Sequence, residues 1–160
     1  MDEIKIKAAS LFPLVCEIIS YDRSARLPIT GSSMYPFLRD GIDSVELTKN
    51  NFRSLSRGDI VLIRRTDGTY VMHRVLRKKK DCFFMVGDAQ QWIEGPLFPG
   101  QLVAIVTAIW RKDKRILCTR PSWKILSEIW LLLRPYRRTV LNVYRIIRRH
   151  LKKLKLLITG

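Results

Sequence analysis

The sequence predicts a mainly β domain with an N-terminal helix and a C-terminal basic helical tail, so the chain is expected to be α+β overall. Short runs of β-branched and other apolar residues, separated by turn signals, extend from about residue 26 to residue 110. Helical spacing of apolar residues is confined to the first 20 residues and to the stretch after Pro121. Basic residues concentrate in the C-terminal part of the sequence, since residues 111–160 hold 15 basic and 2 acidic side chains.

Residues 1–25 are predicted to form an N-terminal amphipathic helix, over about residues 3–20, that docks on the domain. Pro13 would weaken or kink this helix because proline has no backbone N–H to donate. Its apolar positions recur at helical spacing. They are Ile4, Ala8, Leu11, Val15, Ile18 and Ile19.

Residues 26–115 are predicted to form the β domain. Asp67-Gly68 lies between two strand-like runs and is the strongest hairpin signal in the chain. Residues 78–81 and 111–115 are expected to be charged turns. The predicted strands cover residues 44–47, 59–63, 70–76, 82–86 and 102–109.

Residues 116–160 are predicted to form a basic amphipathic helical tail that contains two helices. The first is expected over residues 123–134 with Ser122 as its N-cap, and Pro135 should end or bend it. The second is expected over residues 136–156, where basic residues surround an apolar stripe, a pattern typical of interfacial membrane helices and of partner-binding helices. The stripe consists of Val140, Val143, Tyr144, Ile147, Leu151 and Leu154.

The cysteine content and the lengths of the apolar runs restrict the cellular compartment in which the protein is expected. The three cysteines (Cys16, Cys82 and Cys118) are scattered without a Cys-x-x-Cys pair, which argues against a disulfide framework and a zinc site and favours a reducing compartment. No signal peptide and no transmembrane helix are predicted, because no apolar run approaches the roughly 18–20 residues that a span needs. We expect no cofactor and no metal.

The net charge of +13 in residues 111–160 indicates an anionic partner for the tail. We expect residues 116–160 to bind an anionic membrane surface or a protein partner, which would place the protein peripherally on the cytoplasmic side of a membrane. Nucleic acid is not expected as a partner, because the tail contains no base-reading motif and its apolar stripe requires burial.

The chain is organised around a short segment that resembles a nucleophile turn. In Pro28-Ile29-Thr30-Gly31-Ser32-Ser33-Met34-Tyr35-Pro36, small residues and two hydroxyls lie between apolar flanks, and Pro36 stiffens the exit. Three further segments follow in order: Arg57-Gly58-Asp59-Ile60-Val61, Tyr70-Val71-Met72-His73-Arg74-Val75 and Met85-Val86-Gly87-Asp88.

These four segments together resemble the type I signal peptidase family of serine peptidases, of the archaeal and endoplasmic-reticulum type, without the family's usual N-terminal membrane span. The resemblance covers roughly residues 26–110. It implies a signal-peptidase/LexA-like β fold for the peptidase domain, with Ser33 as nucleophile and His73 as general base. It further implies a serine endopeptidase whose substrate is a polypeptide, such as a signal or leader peptide.

The chemistry of a Ser/His pair supports this assignment and suggests further residues. A serine hydroxyl needs a base to take its proton, and a neutral imidazole has a suitable pKa without deep burial. The family's acidic partner of the histidine corresponds to Asp88 or Glu94, and either one could orient His73. The family also implies an oxyanion hole formed by the Ser33 N–H and a neighbouring small hydroxyl, for which Ser32 is the candidate.

Two alternatives remain open. The chain could be a catalytically idle peptide-binding module of the same fold, tethered by its basic tail to a membrane or a partner. It could also be a LexA-like self-cleaving peptidase with a Ser/Lys dyad. The second alternative is weaker, because the lysines at 78–80 lie in a turn and no helix-turn-helix precedes the catalytic part.

Overall fold

One antiparallel sheet and the helices around it make the chain α+β overall. The computed structural model describes residues 8–158. In this range the sheet has eight strands in the order β1-β2-β7-β3-β4-β5-β6, with β8 paired to β7. The elements are α1 (Ala8–Ser20), β1 (Ala25–Pro28), β2 (Asp43–Thr48), β3 (Ile60–Arg64), β4 (Tyr70–Lys78), β5 (Phe83–Val86), β6 (Glu94–Leu97), β7 (Leu102–Arg111), β8 (Lys114–Leu117), α2 (Pro121–Leu132) and α3 (Arg137–Ile158).

All five predicted strands are present, and three strands were not predicted. The additional strands are β1, β6 and β8. The predicted charged turn at residues 111–115 is wrong in part, because only the stretch around Lys112 turns and Lys114 already begins β8.

The central strand β3 explains why the predicted apolar run at residues 59–63 shows no alternation. Successive side chains of a strand point to opposite faces of a sheet. Ile60 and Leu62 contribute to a core on one face, together with α1, whereas Val61 and Ile63 contribute to a second core on the other face. A strand that is buried on both faces reads as a continuous apolar run.

The predicted hairpin connects β3 to β4 at Asp67-Gly68. Gly68 has a φ of +85°, a left-handed conformation that glycine adopts without strain. The Asp67 carboxylate accepts hydrogen bonds from the backbone N–H and the hydroxyl of Thr69. The turn residues therefore fix the register in which His73 of β4 lies opposite Val61.

The N-terminal helix docks on the sheet as predicted. In α1, Val15 and Ile19 are buried in the core, and Leu11 and Ile18 pack against it. Pro13 lies inside the helix and does not end it. The predicted positions 3–7, including Ile4, lie outside the described residues.

Two helices form the tail, separated near Pro135 as predicted. Pro135 lies in a short 3₁₀ turn, Arg134–Tyr136, between α2 and α3. The prediction that Ser122 caps the first helix is wrong, because Pro121 occupies the first helical position and Arg120 is the N-cap residue. Proline favours that position since its missing N–H would have no helical partner there. Among the described residues, no helix is both long and apolar enough to cross a membrane.

Candidate active site

The loop that carries Ser33 connects β1 to β2 and is anchored on both sides of the serine. Met34, Phe37 and Leu38 are buried, so the apolar exit of the predicted turn inserts into the core. Arg111 donates to both carboxylate oxygens of Asp43 and to the Phe37 carbonyl. The loop is thereby held at its base while its hydroxyl-bearing residues remain at the surface.

The backbone of Ser33 is held by the turn that follows β5. Its carbonyl accepts a hydrogen bond of 2.8 Å from the Ala89 N–H. A Cβ placed on Gly87 would lie 2.9 Å from the same carbonyl, which is closer than side chains approach, so a glycine is required at this contact. Within the described residues the Ser33 N–H has no hydrogen-bond partner, as an oxyanion donor requires.

Ser33 and His73 line the same cleft, although 40 positions separate them in the sequence. The cleft has a volume of about 530 Å³. In the described part of the chain no hydrogen bond joins the Ser33 hydroxyl to the His73 ring, so direct proton transfer between them requires a side-chain movement. The other lining residues include Phe12 of α1, the loop residues Thr30 and Gly31, and Arg65, Gln90 and Trp92.

His73 lies on β4 with its ring buried at the inner wall of the cleft. Its Nδ1 atom is 3.6 Å from Oε2 of Glu94, and the edge of the Trp92 ring packs against the imidazole with the ring centroids 5.8 Å apart. Nδ1 is buried and has no hydrogen-bond partner among the described residues. Because Nδ1 faces Glu94, Nε2 is the ring nitrogen on the side away from that carboxylate.

Burial lowers the pKa of His73 from its ordinary 6.5. The negative charge of Glu94 opposes this fall and the positive charge of Arg65 adds to it. Because desolvation disfavours the charged imidazolium, His73 is neutral near pH 7 and can accept a proton.

Asp88 has a partner other than His73. Its carboxylate forms two hydrogen bonds, of 2.8 and 2.7 Å, with the Arg74 guanidinium, and both side chains are fully buried. Arg74 follows His73 on β4 and therefore points to the opposite face of the strand. Of the two candidate carboxylates, Glu94 is the one beside the imidazole, and Asp88 fixes the turn that holds Ser33.

Ser32, the predicted second donor of the oxyanion hole, is exposed and is not among the residues that line the cleft. Its carbonyl accepts the Tyr35 N–H within the turn. The small hydroxyl that this loop does bring to the cleft, besides Ser33 itself, belongs to Thr30.

Side chains of the two tail helices donate hydrogen bonds to backbone carbonyls in the turn at residues 87–91, which also binds the Ser33 carbonyl. Arg137, the first residue of α3, is buried and donates to the carbonyls of Gly87 and Gln90 at 2.8 and 3.1 Å. Trp130 of α2 donates from its indole N–H to the Asp88 carbonyl. Burial lowers the pKa of Arg137 to about 10, so it remains charged at neutral pH.

Sequence reasoning missed these arginines. Arg65, Arg74 and Arg137 look like surface charges in the sequence, because arginine is rarely fully buried. The only available signal was the position of Arg74 directly after His73 in the strand that resembles the base-carrying segment.

Comparison with models of known protein families gave no match to this chain, and comparison with curated proteins also gave none.

The first prediction concerns the buried ion pair between Asp88 and Arg74. Asp88→Asn should lower the free energy of unfolding by about 3–5 kcal/mol, because it leaves the buried Arg74 charge without its carboxylate. Chemical denaturation measures this loss. The control is Glu128→Gln, which breaks a half-exposed pair with Arg57 and should cost less than about 1 kcal/mol. Equal losses in the two variants would contradict the structural role of Asp88.

The second prediction concerns the protonation of His73. Its NMR titration should have a midpoint below 6.5, and His150→Gln assigns the signals because the chain has two histidines. The pKa of His73 is lower in the folded protein than in the unfolded chain, so burying the neutral ring favours folding above pH 6.5. This contribution to stability is lost as the pH falls through the pKa of His73 in the folded protein. Acidification from pH 7.5 to 5 should therefore destabilise the parent more than His73→Gln. A midpoint above 6.5 would contradict the expectation.

Proposed function

We propose that this protein is a serine endopeptidase of the signal peptidase type, which cleaves an extended signal or leader peptide. The observation that carries the proposal is the cleft shared by Ser33 and His73, in which the serine N–H has no partner among residues 8–158 and the imidazole is neutral near pH 7. The motif order in the sequence supports the same two residues independently.

In the proposed reaction Ser33 Oγ attacks the scissile carbonyl while Nε2 of His73 takes the hydroxyl proton. The Ser33 N–H donates to the oxyanion that forms. The imidazolium then gives its proton to the leaving amine, and water hydrolyses the acyl-enzyme by the same route. Glu94, beside Nδ1, stabilises the charged ring during both steps.

Two extended segments at the cleft suit a peptide substrate. Strand β5 pairs with β4 only from Arg74 onward, so among the described residues no strand pairs with that edge of β4 from Tyr70 to His73. On the other side, Leu27 to Gly31 border the cleft where β1 ends. A peptide could add as a strand at such an edge, with main-chain hydrogen bonds supplying affinity.

The third prediction tests the nucleophile and the base. A serine-reactive phosphonate should label Ser33 in the parent, as mass spectrometry would identify. Labelling should be absent in Ser33→Ala and slower by about 100-fold or more in His73→Ala, since a general base contributes at least that factor. Ser24→Ala and His150→Ala are the matched controls, because both residues are exposed and lie outside the cleft.

A folded parent protein that is not labelled would contradict the peptidase. That outcome would favour the idle peptide-binding module. If Ser33 is still labelled in His73→Ala but not after substitution of a lysine, the result would favour the LexA-like alternative.

We further propose that the tail holds the enzyme peripherally on an anionic membrane. In α2 one face is apolar and exposed, in addition to the apolar stripe predicted on the second helix. In α3, Val140 is half-buried, whereas Tyr144 and Ile147 are 37% and 52% exposed. The side chains of Leu151 and Leu154 lie outside those described. Among the tail side chains that the structure describes, the large exposed apolar ones are Ile125, Leu126, Ile129, Leu132, Tyr136, Val143, Tyr144, Ile146 and Ile147.

Basic side chains accompany this apolar surface. The exposed basic residues on the same two helices include Lys124, Arg138, Arg145 and Arg149. Each basic residue near an anionic bilayer contributes about 1 kcal/mol, and apolar side chains that enter the interface contribute further. An anionic lipid surface satisfies both parts of the pattern.

The fourth prediction tests this surface by substitution, because a deletion of the tail would also remove Arg137 and Trp130 from the site. The triple variant Ile129→Asp, Leu132→Asp, Ile146→Asp should bind vesicles containing phosphatidylserine at least about 10-fold more weakly than the parent, as measured by co-sedimentation. Parent binding should weaken with salt. Ile42→Asp and Phe98→Asp, at exposed apolar positions away from the tail, are the control. Equal binding by the triple variant and the control would contradict the membrane proposal.

A further inference from the structure

Arg65, to which the sequence assigned no role, shares the carboxylate of Glu94 with His73. Arg65 follows β3 in the hairpin and lines the cleft. Its Nε donates to Oε1 of Glu94 and its Nη2 donates to Oε2 at 2.8 Å. This paired geometry fixes the carboxylate more firmly than a single hydrogen bond would.

The same Oε2 atom is the nearest carboxylate oxygen to the imidazole. It lies 3.6 Å from Nδ1 of His73, which is beyond hydrogen-bonding distance, and Nδ1 is buried without a partner in the described part of the chain. In this structure the carboxylate is therefore bound by Arg65 and stops short of a hydrogen bond with the imidazole. A displacement of Oε2 of less than about 1 Å would bring it within reach of Nδ1.

We propose, on the basis of the peptidase function proposed above, that Arg65 is a positioning residue that acts through Glu94 and sets the pH range in which His73 is an effective base. At rest Arg65 keeps the carboxylate from forming a full hydrogen bond with the imidazole. When Nε2 takes the proton of Ser33, the ring becomes a cation that retains its Nδ1 proton. Glu94 then has a charged donor on each side and is drawn toward Nδ1.

The charged groups that face His73 determine the sign of the effect. Glu94 from β6 and Asp88 from the turn after β5 favour the imidazolium, and Arg65 from the hairpin disfavours it. The charge of Asp88 is already balanced by Arg74. Removing Arg65 therefore removes the opposing charge and also frees Glu94 to accept from Nδ1. Both changes raise the pKa of His73.

The fifth prediction is that Arg65→Gln raises the midpoint of the His73 NMR titration by about 1 pH unit or more, the size of shift that a neighbouring charge produces. Arg65→Lys, which keeps the charge but not the paired geometry, should raise it less. Arg77→Gln is the matched control: Arg77 is an exposed arginine of β4 that packs over the Phe84 ring and does not line the cleft. Equal midpoints in Arg65→Gln and Arg77→Gln would overturn the proposal.

A second comparison separates action through Glu94 from a direct charge effect. In the Glu94→Gln background, the further change Arg65→Gln should shift the midpoint by clearly less than it does beside the native Glu94. An equal shift in both backgrounds would mean that Arg65 acts on His73 by its charge alone, which overturns the positioning role.

The titration needs no substrate, so failure of this inference and failure of the peptidase proposal can be told apart. If phosphonate never labels Ser33 while the titrations shift as expected, the coupling of Arg65, Glu94 and His73 stands and the peptidase does not. If labelling occurs, the acid limb of its rate should move to higher pH in Arg65→Gln and remain in place in Arg77→Gln. An unmoved acid limb would overturn the inference and leave the peptidase intact.

Discussion

The buried ion pair between Arg74 and Asp88 is the interaction on which the rest of the site depends. Two fully buried charges are costly unless their hydrogen bonds are satisfied, and here Arg74 also donates to the Gly58 carbonyl and the Ser127 hydroxyl. The pair thereby joins β4, the turn after β5 and α2. Because His73 precedes Arg74 on the same strand, fixing one side of the strand also fixes the imidazole on the other side.

The tail has two faces with different physical roles. One face packs against the domain, where Trp130 and Leu141 contact Phe37 of the Ser33 loop. The opposite face leaves large apolar side chains in water beside basic ones. The sequence pattern alone did not separate these roles, since large apolar residues occur on both faces. The division arises from α2, whose buried positions are Ser127, Trp130 and Leu131.

The strands that follow a regular pattern could be predicted from the sequence, and the irregular ones could not. Strand β6 contains Gly95-Pro96, β1 ends at Pro28, and β8 begins with two basic residues, so each resembles a turn in the sequence. That Ser33 and His73 would line one cleft could be predicted from the order of motifs. The choice between Asp88 and Glu94 could not, because it depends on which arginine reaches which carboxylate, and such pairings between distant strands leave no local pattern.

The contacts of Arg137 have a consequence for the order in which the site is completed during synthesis. The carbonyls of Gly87 and Gln90 receive their donors from a residue about 50 positions later in the chain. A nascent chain can form the sheet and place Ser33 near His73 before that residue leaves the ribosome. The turn that supports Ser33 nevertheless lacks its guanidinium until the first turn of α3 has been made. The contacts that complete the site therefore require α3 as well as the sheet.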